Sequence, residues 1–132
     1  MPSLIEFCLI AGGGAVGSII RYLLTIGSIR LSGGMSLAGT FVANLIGCFA
    51  IGLLVAAVAS YPDWISPRVA IGLRVGLLGG LTTFSTFAVE SVLLVDEGRL
   101  GLMLLYVAAS VVLGLLAVWA GMSLLSRPQE LI

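Results

Sequence analysis

The chain has 132 residues, of which 60% are hydrophobic and only 9% are charged. So little polar surface cannot cover the core of a soluble domain, and the composition therefore indicates a membrane protein. The net charge is zero, and the chain has no lysine and no histidine. This argues against a nucleic-acid partner, a histidine metal site and an enzyme with a histidine base.

Four apolar stretches are long enough to cross the hydrocarbon core as helices, which takes about 20 residues each. Short connections that carry the turn and charge signals separate them. We therefore expect a single all-α membrane domain over residues 1–132 that crosses the membrane several times. The predicted helices cover residues 4–26, 37–60, 69–95 and 100–125.

The first span begins beside the acidic Glu6 and runs directly into a glycine-rich helix pattern, so we expect no cleaved signal peptide. It is expected to end before a connection at residues 28–36. Cys8 in this span and Cys48 in the second lie in apolar stretches without CxxC spacing. We expect both cysteines to be buried small hydrophobic residues.

The second span places Thr40, Asn44 and Cys48 on one helix face, because they are spaced by four. The Asn44 amide offers two N–H donors. The same spacing places Tyr106 and Ser110 on one face of the fourth span. Each of these polar residues taken singly indicates either an interhelical hydrogen bond or a ligand contact.

Small residues at four-residue spacing occur in several spans, and such stripes let helix backbones approach closely in lipid. Packing within one subunit explains any one stripe, whereas several stripes in a small bundle favour an oligomer. The stripes comprise Gly13 and Gly17, then Gly39, Ala43 and Gly47, and in the fourth span Gly114 with Ser110 and Ala117 near it.

The third span is expected to be interrupted near residues 79–83, where two glycines precede Thr82 and Thr83. Glycine costs about 1 kcal/mol relative to alanine in a helix, and threonine hydroxyls compete for backbone partners. An unwound turn at this depth would free carbonyls for a hard cation and amides for an anion. A plain glycine packing notch is the alternative.

A helix that continues from Thr83 would place Thr83, Phe87 and Glu90 within roughly 60° of one another. Flanking positions add further hydroxyl and aromatic groups, whereas Ser85 would point the other way. An aromatic ring has a positive edge that can hold a small anion without a full charge. The stretch therefore predicts a wall that offers hydroxyl donors and ring edges to a dehydrated solute.

The arginines do not favour either orientation in the membrane, because four spans place three of them on each side. One explanation is that the chain inserts both ways and pairs as an antiparallel dimer. The other is that so few charges make the positive-inside rule uninformative. The two sets are Arg68, Arg74 and Arg127 on one side and Arg21, Arg30 and Arg99 on the other.

The sequence GGLTTFSTF at 79–87, followed by Glu90, closely resembles the signature of the small bacterial fluoride channels, the Fluc or CrcB family. GGGAVGSIIRYLL at 12–24 resembles the first helix of that family, and GTFVANLIGCFAIG at 39–52 resembles the second. Tyr106 and Ser110 match polar positions of its fourth helix. The chain departs from some relatives at Ala88, where they carry a hydroxyl residue.

The resemblance implies a passive channel that exports fluoride through the inner membrane of a bacterium and relieves fluoride toxicity. It further implies an antiparallel homodimer of dual topology, with two pores through the lipid-embedded pair. A structural Na+ would lie at the dimer centre, bound by the backbone carbonyls of Gly79 and Thr82 from both chains. The pore residues implied are Asn44, Phe84 and Phe87, with a polar track of Ser85, Thr86, Glu90, Tyr106 and Ser110, and with Arg21 near a vestibule.

Two other functions are compatible with four apolar spans. A small proton-coupled exporter needs a titratable carboxylate deep in its cavity, and Glu90 is the one deep candidate. The first span of this chain, however, carries Arg21 where such an exporter would have an acidic residue. A membrane packing protein would explain the glycines, but not the clustered threonine, serine and phenylalanine residues.

Overall fold

The computed structural model describes residues 3–32 and 36–126, and it contains four helices long and apolar enough to cross a membrane. This confirms the predicted all-helical architecture with an interrupted third span. We call the first two helices α1 and α2, the halves of the third span α3a and α3b, and the fourth helix α4. Their bounds are Leu4–Ser32, Leu37–Ser60, residues 67–81, Phe84–Asp96 and Leu100–Leu125.

The second and fourth helices have the predicted bounds, but the first is longer than predicted. Helix α1 continues to Ser32, so the prediction that a connection begins at residue 28 was wrong. Ser28 is accommodated inside the helix because its hydroxyl donates to the Thr25 carbonyl at 3.0 Å. Residues 33–35 of the connection, and Arg127, lie outside the described residues.

The third span also begins earlier than predicted and changes its helical form before the break. It starts at Pro67, after the Ser66 side chain accepts a hydrogen bond from the Val69 amide at 3.4 Å. Proline is well suited to this first position, where its missing N–H has no helical partner. The span then adopts π-helical form over Gly72–Leu78, which the sequence pattern did not predict.

The predicted interruption is confirmed at Thr82 and Thr83. Their backbones are extended, with φ and ψ of −87° and 153° at Thr82 and −149° and 124° at Thr83. Gly79 and Gly80 are still helical, so the two threonines form the break itself. The second half-helix begins at Phe84 and not at Thr83, as the helical-wheel argument had assumed.

Glycines bring α1 against α3a, and α2 against α4, at backbone distance. A Cβ atom at Gly17 would contact the carbonyl oxygen of Leu77, and one at Gly80 would contact that of Gly14. The stripes of Gly13 and Gly17, Gly39 and Gly47, and Gly114 therefore pack against neighbours within one chain. Because this packing within one chain accounts for the stripes, they are not evidence for an oligomer.

The surface of the bundle is strongly apolar, as expected for a protein surrounded by lipid. Side chains such as Leu115 and Trp119 are about two-thirds exposed, at 69% and 68%. Cys8 is exposed on α1, so the prediction that it is buried was wrong. Cys48 is partly buried between α2 and α4.

Candidate functional site

Asn44 on α2 holds the break in the third span through its side-chain amide. The Thr83 amide N–H donates to Asn44 Oδ1 at 2.8 Å, and Asn44 Nδ2 donates to the Thr83 carbonyl at 3.0 Å. The asparagine side chain therefore replaces the helical acceptor of the Thr83 amide and adds a donor to the Thr83 carbonyl. The sequence placed Asn44 on a polar face but did not identify this contact.

The break leaves backbone carbonyls without their helical donors. Because Thr83 N–H bonds to Asn44, it does not bond to the Gly79 carbonyl four residues before it. The Thr86 amide similarly donates to Thr83 Oγ1 at 3.2 Å, and so does not bond to the Thr82 carbonyl. The Gly80 carbonyl accepts a bond from Arg21 Nε at 3.2 Å, which places this arginine against the break.

The freed carbonyls of Gly79 and Thr82 are suitable ligands for a hard monovalent cation. The described residues contain no group of three or more histidine, cysteine, aspartate or glutamate side chains that could bind a metal. Gly79 is exposed and lines the cavity described below. One chain provides two such oxygens, which is an incomplete coordination shell.

Three hydroxyl groups cluster where the second half-helix begins. Thr83 Oγ1 donates to Thr86 Oγ1 at 3.1 Å and lies 3.2 Å from Ser85 Oγ. The helical wheel had placed Ser85 on the opposite side because it treated Thr83 as helical. The extended backbone of Thr83 instead brings its hydroxyl to Ser85, which is exposed.

Three aromatic rings follow one another along α3b and α4. The ring centroids of Phe84 and Phe87 are 5.8 Å apart, and those of Phe87 and Tyr106 are 5.2 Å apart. The rings are tilted by 46° and 50°, so edges as well as faces are presented along the series. Phe84 is 79% exposed, whereas Tyr106 is buried, and the series therefore leads from the surface to the interior.

Glu90 lies at the inner end of this series, where three hydroxyl groups donate to its carboxylate. Ser36 and Thr40 on one side donate to Oε1 at 2.6 and 2.9 Å, and Tyr106 donates to Oε2 at 2.7 Å. Glu90 is only 6% exposed, so these bonds replace water around a buried polar group. Sequence reasoning missed Ser36, although it lies four residues before Thr40 and therefore on the same face.

A cavity of about 510 Å³ lies beside the break, and four of the eight residues predicted for the pore and its polar track line it. Ser110 also lines it, and its hydroxyl oxygen is buried without a hydrogen-bond partner among the residues the structure describes. The lining includes Asn44, Arg74, Gly79, Thr82, Thr83, Phe84, Phe87 and Ser110.

A smaller cavity, of about 180 Å³, lies over Glu90 and is bordered by Ser36, Glu97 and Arg99. Phe87 lines the first cavity and Glu90 the second. One turn of α3b, about 5 Å, separates these two residues. The aromatic series and the Glu90 cluster therefore lie between two recesses of the chain.

Comparison with known proteins gives a consistent result over almost the whole chain. The model of the family described as CrcB-like protein, Camphor Resistance (CrcB), matches residues 8–122. A protein of Agrobacterium fabrum is 44% identical over 121 residues, which cover 92% of this chain and 96% of that protein. One from Allorhizobium ampelinum is 46% identical over 114 residues, 86% of this chain and 90% of its own. A relative from Methylobacillus flagellatus is 40% identical over 126 residues, 95% of this chain and 98% of its own.

Each of these three relatives is named a fluoride-specific ion channel FluC. Their matches extend across all four apolar helices and the broken third span.

Proposed function

The chain belongs to the CrcB-like protein family, and on this premise we propose that it is a passive, fluoride-selective ion channel. The main support for the proposal is sequence identity, over more than nine-tenths of the chain, with proteins named as fluoride-specific ion channels. The site supports it independently, because hydroxyl, amide and aromatic-edge groups line one cavity beside a broken helix. The protein is a multi-pass membrane channel and not an enzyme.

Fluoride is small and strongly hydrated, so a pore must replace its water with donors arranged as several weak sites. We propose that the first of these weak sites is formed by Asn44, Phe84, Phe87 and Ser110. Asn44 uses one N–H on Thr83, and the other has no acceptor among the residues that the structure describes. The Ser110 hydroxyl is likewise buried without a described partner.

We propose that the ring edges of Phe84 and Phe87 pass the ion towards a polar track around Glu90. The hydroxyl of Tyr106 donates to the Glu90 carboxylate, and this bond holds the polar cluster in a fixed orientation beside the rings. Ser85 and Thr86 provide further hydroxyls at the start of the half-helix. The absence of lysine from the sequence fits this arrangement, because a fixed ammonium group in a narrow passage would bind fluoride too tightly.

We propose that two chains form an antiparallel homodimer. The exposure of Phe84, at 79%, supports this, because a ring that guides an ion needs a second wall opposite it. One chain also provides only the carbonyls of Gly79 and Thr82, which are too few ligands to surround a cation. An equal number of arginines on the two sides of the membrane is compatible with insertion in both orientations.

We propose that a structural Na+ binds the Gly79 and Thr82 carbonyls of both chains at the dimer centre. When bound, the ion would neutralise the carbonyl dipoles freed by the break and so stabilise the extended turn. The donor set fits, since both oxygens lose their helical N–H partners to Asn44 and to the Thr83 hydroxyl. Arg21 is proposed to add positive charge near a vestibule, and its Nε bond to Gly80 holds the same turn.

The direction of transport follows from the membrane potential, which drives an anion out of a cell that is negative inside. The energy gained by moving one charge across the membrane is about 2.3 kcal/mol for each 100 mV of potential. We propose that the protein lies in the inner membrane of a bacterium and relieves fluoride toxicity there. A proton-coupled exporter, the alternative considered from the sequence, is not supported, because the relatives are named as ion channels.

Efflux from liposomes tests the proposal. Purified protein is reconstituted in vesicles loaded with potassium fluoride, and external fluoride is followed with an ion-selective electrode. We expect fluoride release only when valinomycin lets potassium carry the compensating charge, with little chloride release in matched vesicles. Release that needs a proton gradient, or no release with valinomycin present, would exclude a passive fluoride channel.

A further inference from the structure

Arg74 is a charged residue within a membrane span, and the site described above gives it no function. It lies seven residues after Pro67, about 10 Å along the third span, in the π-helical segment Gly72–Leu78. A charge at this depth is costly unless it faces protein or a water-filled cavity. Arg74 is exposed and has no hydrogen-bond or ion-pair partner among the described residues.

The surroundings of Arg74 are those of an anion site. It lines the 510 Å³ cavity beside the break and is the single charged residue in that lining. The same cavity contains the Asn44 amide and the unpartnered hydroxyl of Ser110, which are donors, and no carboxylate lines it. A positive charge with uncommitted donors and without a counter-ion favours entry of a small anion.

The other arginine at membrane depth, Arg21, occupies a different environment. Its Nε is bonded to the Gly80 carbonyl, and it does not line the cavity. Arg21 therefore stabilises the backbone of the break, whereas the charge that faces the cavity belongs to Arg74. A guanidinium group is diffuse and weakly hydrated, so it attracts an anion without the tight point-charge binding of an ammonium group.

We propose that Arg74 recruits small monovalent anions into this cavity, which raises the local fluoride concentration before the ion loses its water at Asn44 and the phenylalanine rings. This inference rests on the proposed channel function and adds to it a residue that controls the entry rate. Charged clefts of one sign raise association rates by 10- to 1000-fold in low salt, and the effect falls steeply with ionic strength. The contribution of Arg74 should show the same dependence.

Salt dependence of the initial fluoride efflux separates recruitment from a structural role. Vesicles with wild-type protein, Arg74→Gln or Arg74→Lys are compared at ionic strengths of about 0.01 M and about 1 M, where the screening lengths are about 30 Å and about 3 Å. An impermeant anion adjusts the ionic strength at a constant fluoride gradient. Arg68→Gln is the matched control, because Arg68 lies in the same span, is exposed and does not line the cavity.

We expect Arg74→Gln to slow efflux by about tenfold in low salt and by less than twofold in high salt. Arg74→Lys keeps the positive charge and should therefore keep the wild-type salt dependence, although tighter point-charge binding should lower its rate, and Arg68→Gln should match wild type. Wild-type efflux should itself fall several-fold between the two salts, which tests recruitment even if Arg74→Gln does not fold.

Three results would overturn the recruitment role while leaving the channel function intact. They are salt-independent wild-type efflux, an equal loss for Arg74→Gln at both salts, or an equal loss for Arg68→Gln. Wild-type vesicles that retain their fluoride would overturn the channel function, and the role of Arg74 with it.

Discussion

The two hydrogen bonds between Asn44 and Thr83 allow a quantitative prediction. Asn44→Ala removes both bonds, at 2.8 and 3.0 Å, and leaves the Thr83 amide of the break without a partner. A hydrogen bond contributes about 1 kcal/mol net, so the broken conformation should lose about 2 kcal/mol. That corresponds to about a 30-fold change in its population relative to competing conformations.

Asn44→Asp should be more severe, for two reasons. Aspartate can still accept from Thr83 N–H, but its second oxygen would oppose the Thr83 carbonyl, which now accepts from Asn44 Nδ2. It would also place a negative charge where an anion must pass. We therefore expect Asn44→Ala to slow fluoride efflux from liposomes by up to about 30-fold, and Asn44→Asp to abolish it.

The control is Cys48→Ala, which alters the same face of α2 and the same cavity but removes no contact with the break. Its efflux and thermal stability should match those of wild type. Thermal unfolding in detergent should show a lower midpoint for Asn44→Ala than for Cys48→Ala. Wild-type efflux and an unchanged midpoint in Asn44→Ala would refute the reasoning, because the break would then not depend on the asparagine.

Three further predictions concern other parts of the site. Phe84→Ile and Phe87→Ile, made singly, should slow or abolish efflux while size-exclusion chromatography shows an unchanged oligomer, and normal flux in both would exclude a ring-edge role. Tyr106→Phe removes the 2.7 Å bond to Glu90 but keeps the ring contact, so it should reduce flux several-fold without changing the oligomer, whereas wild-type flux would remove the hydroxyl from the path. Gly17→Ala should lower thermal stability, because its Cβ would contact a carbonyl oxygen of α3a, and an unchanged unfolding midpoint would contradict this packing.

Hydrophobic length and local glycine and threonine content were sufficient to predict the main features of the fold. The second and fourth spans have their predicted bounds, and the third is broken at Thr82 and Thr83 as expected. The end of α1 was predicted too early because residues 28–36 were interpreted as a connection, although a serine such as Ser28 can bond to its own helix backbone. The π-helical segment has no comparable signal in the sequence.

Side-chain periodicity identified helix faces but not which faces meet. Thr40 and Asn44 were correctly placed together on α2, yet nothing in their spacing shows that one contacts Glu90 and the other the backbone of Thr83. Those partners are set by the packing of α2 against both halves of the third span. Thr83 was misplaced relative to Ser85 for a related reason, since a helical wheel does not include an extended residue at the helix start.

The reversal potential of the reconstituted protein tests the central claim most directly, which is that the broken third span passes fluoride and excludes chloride. A planar bilayer is given a tenfold fluoride gradient with an opposed tenfold chloride gradient. We predict that current reverses near the fluoride equilibrium potential, about 59 mV in magnitude for a tenfold gradient of a single charge. Reversal near zero or near the chloride potential, or the absence of any current, would contradict it.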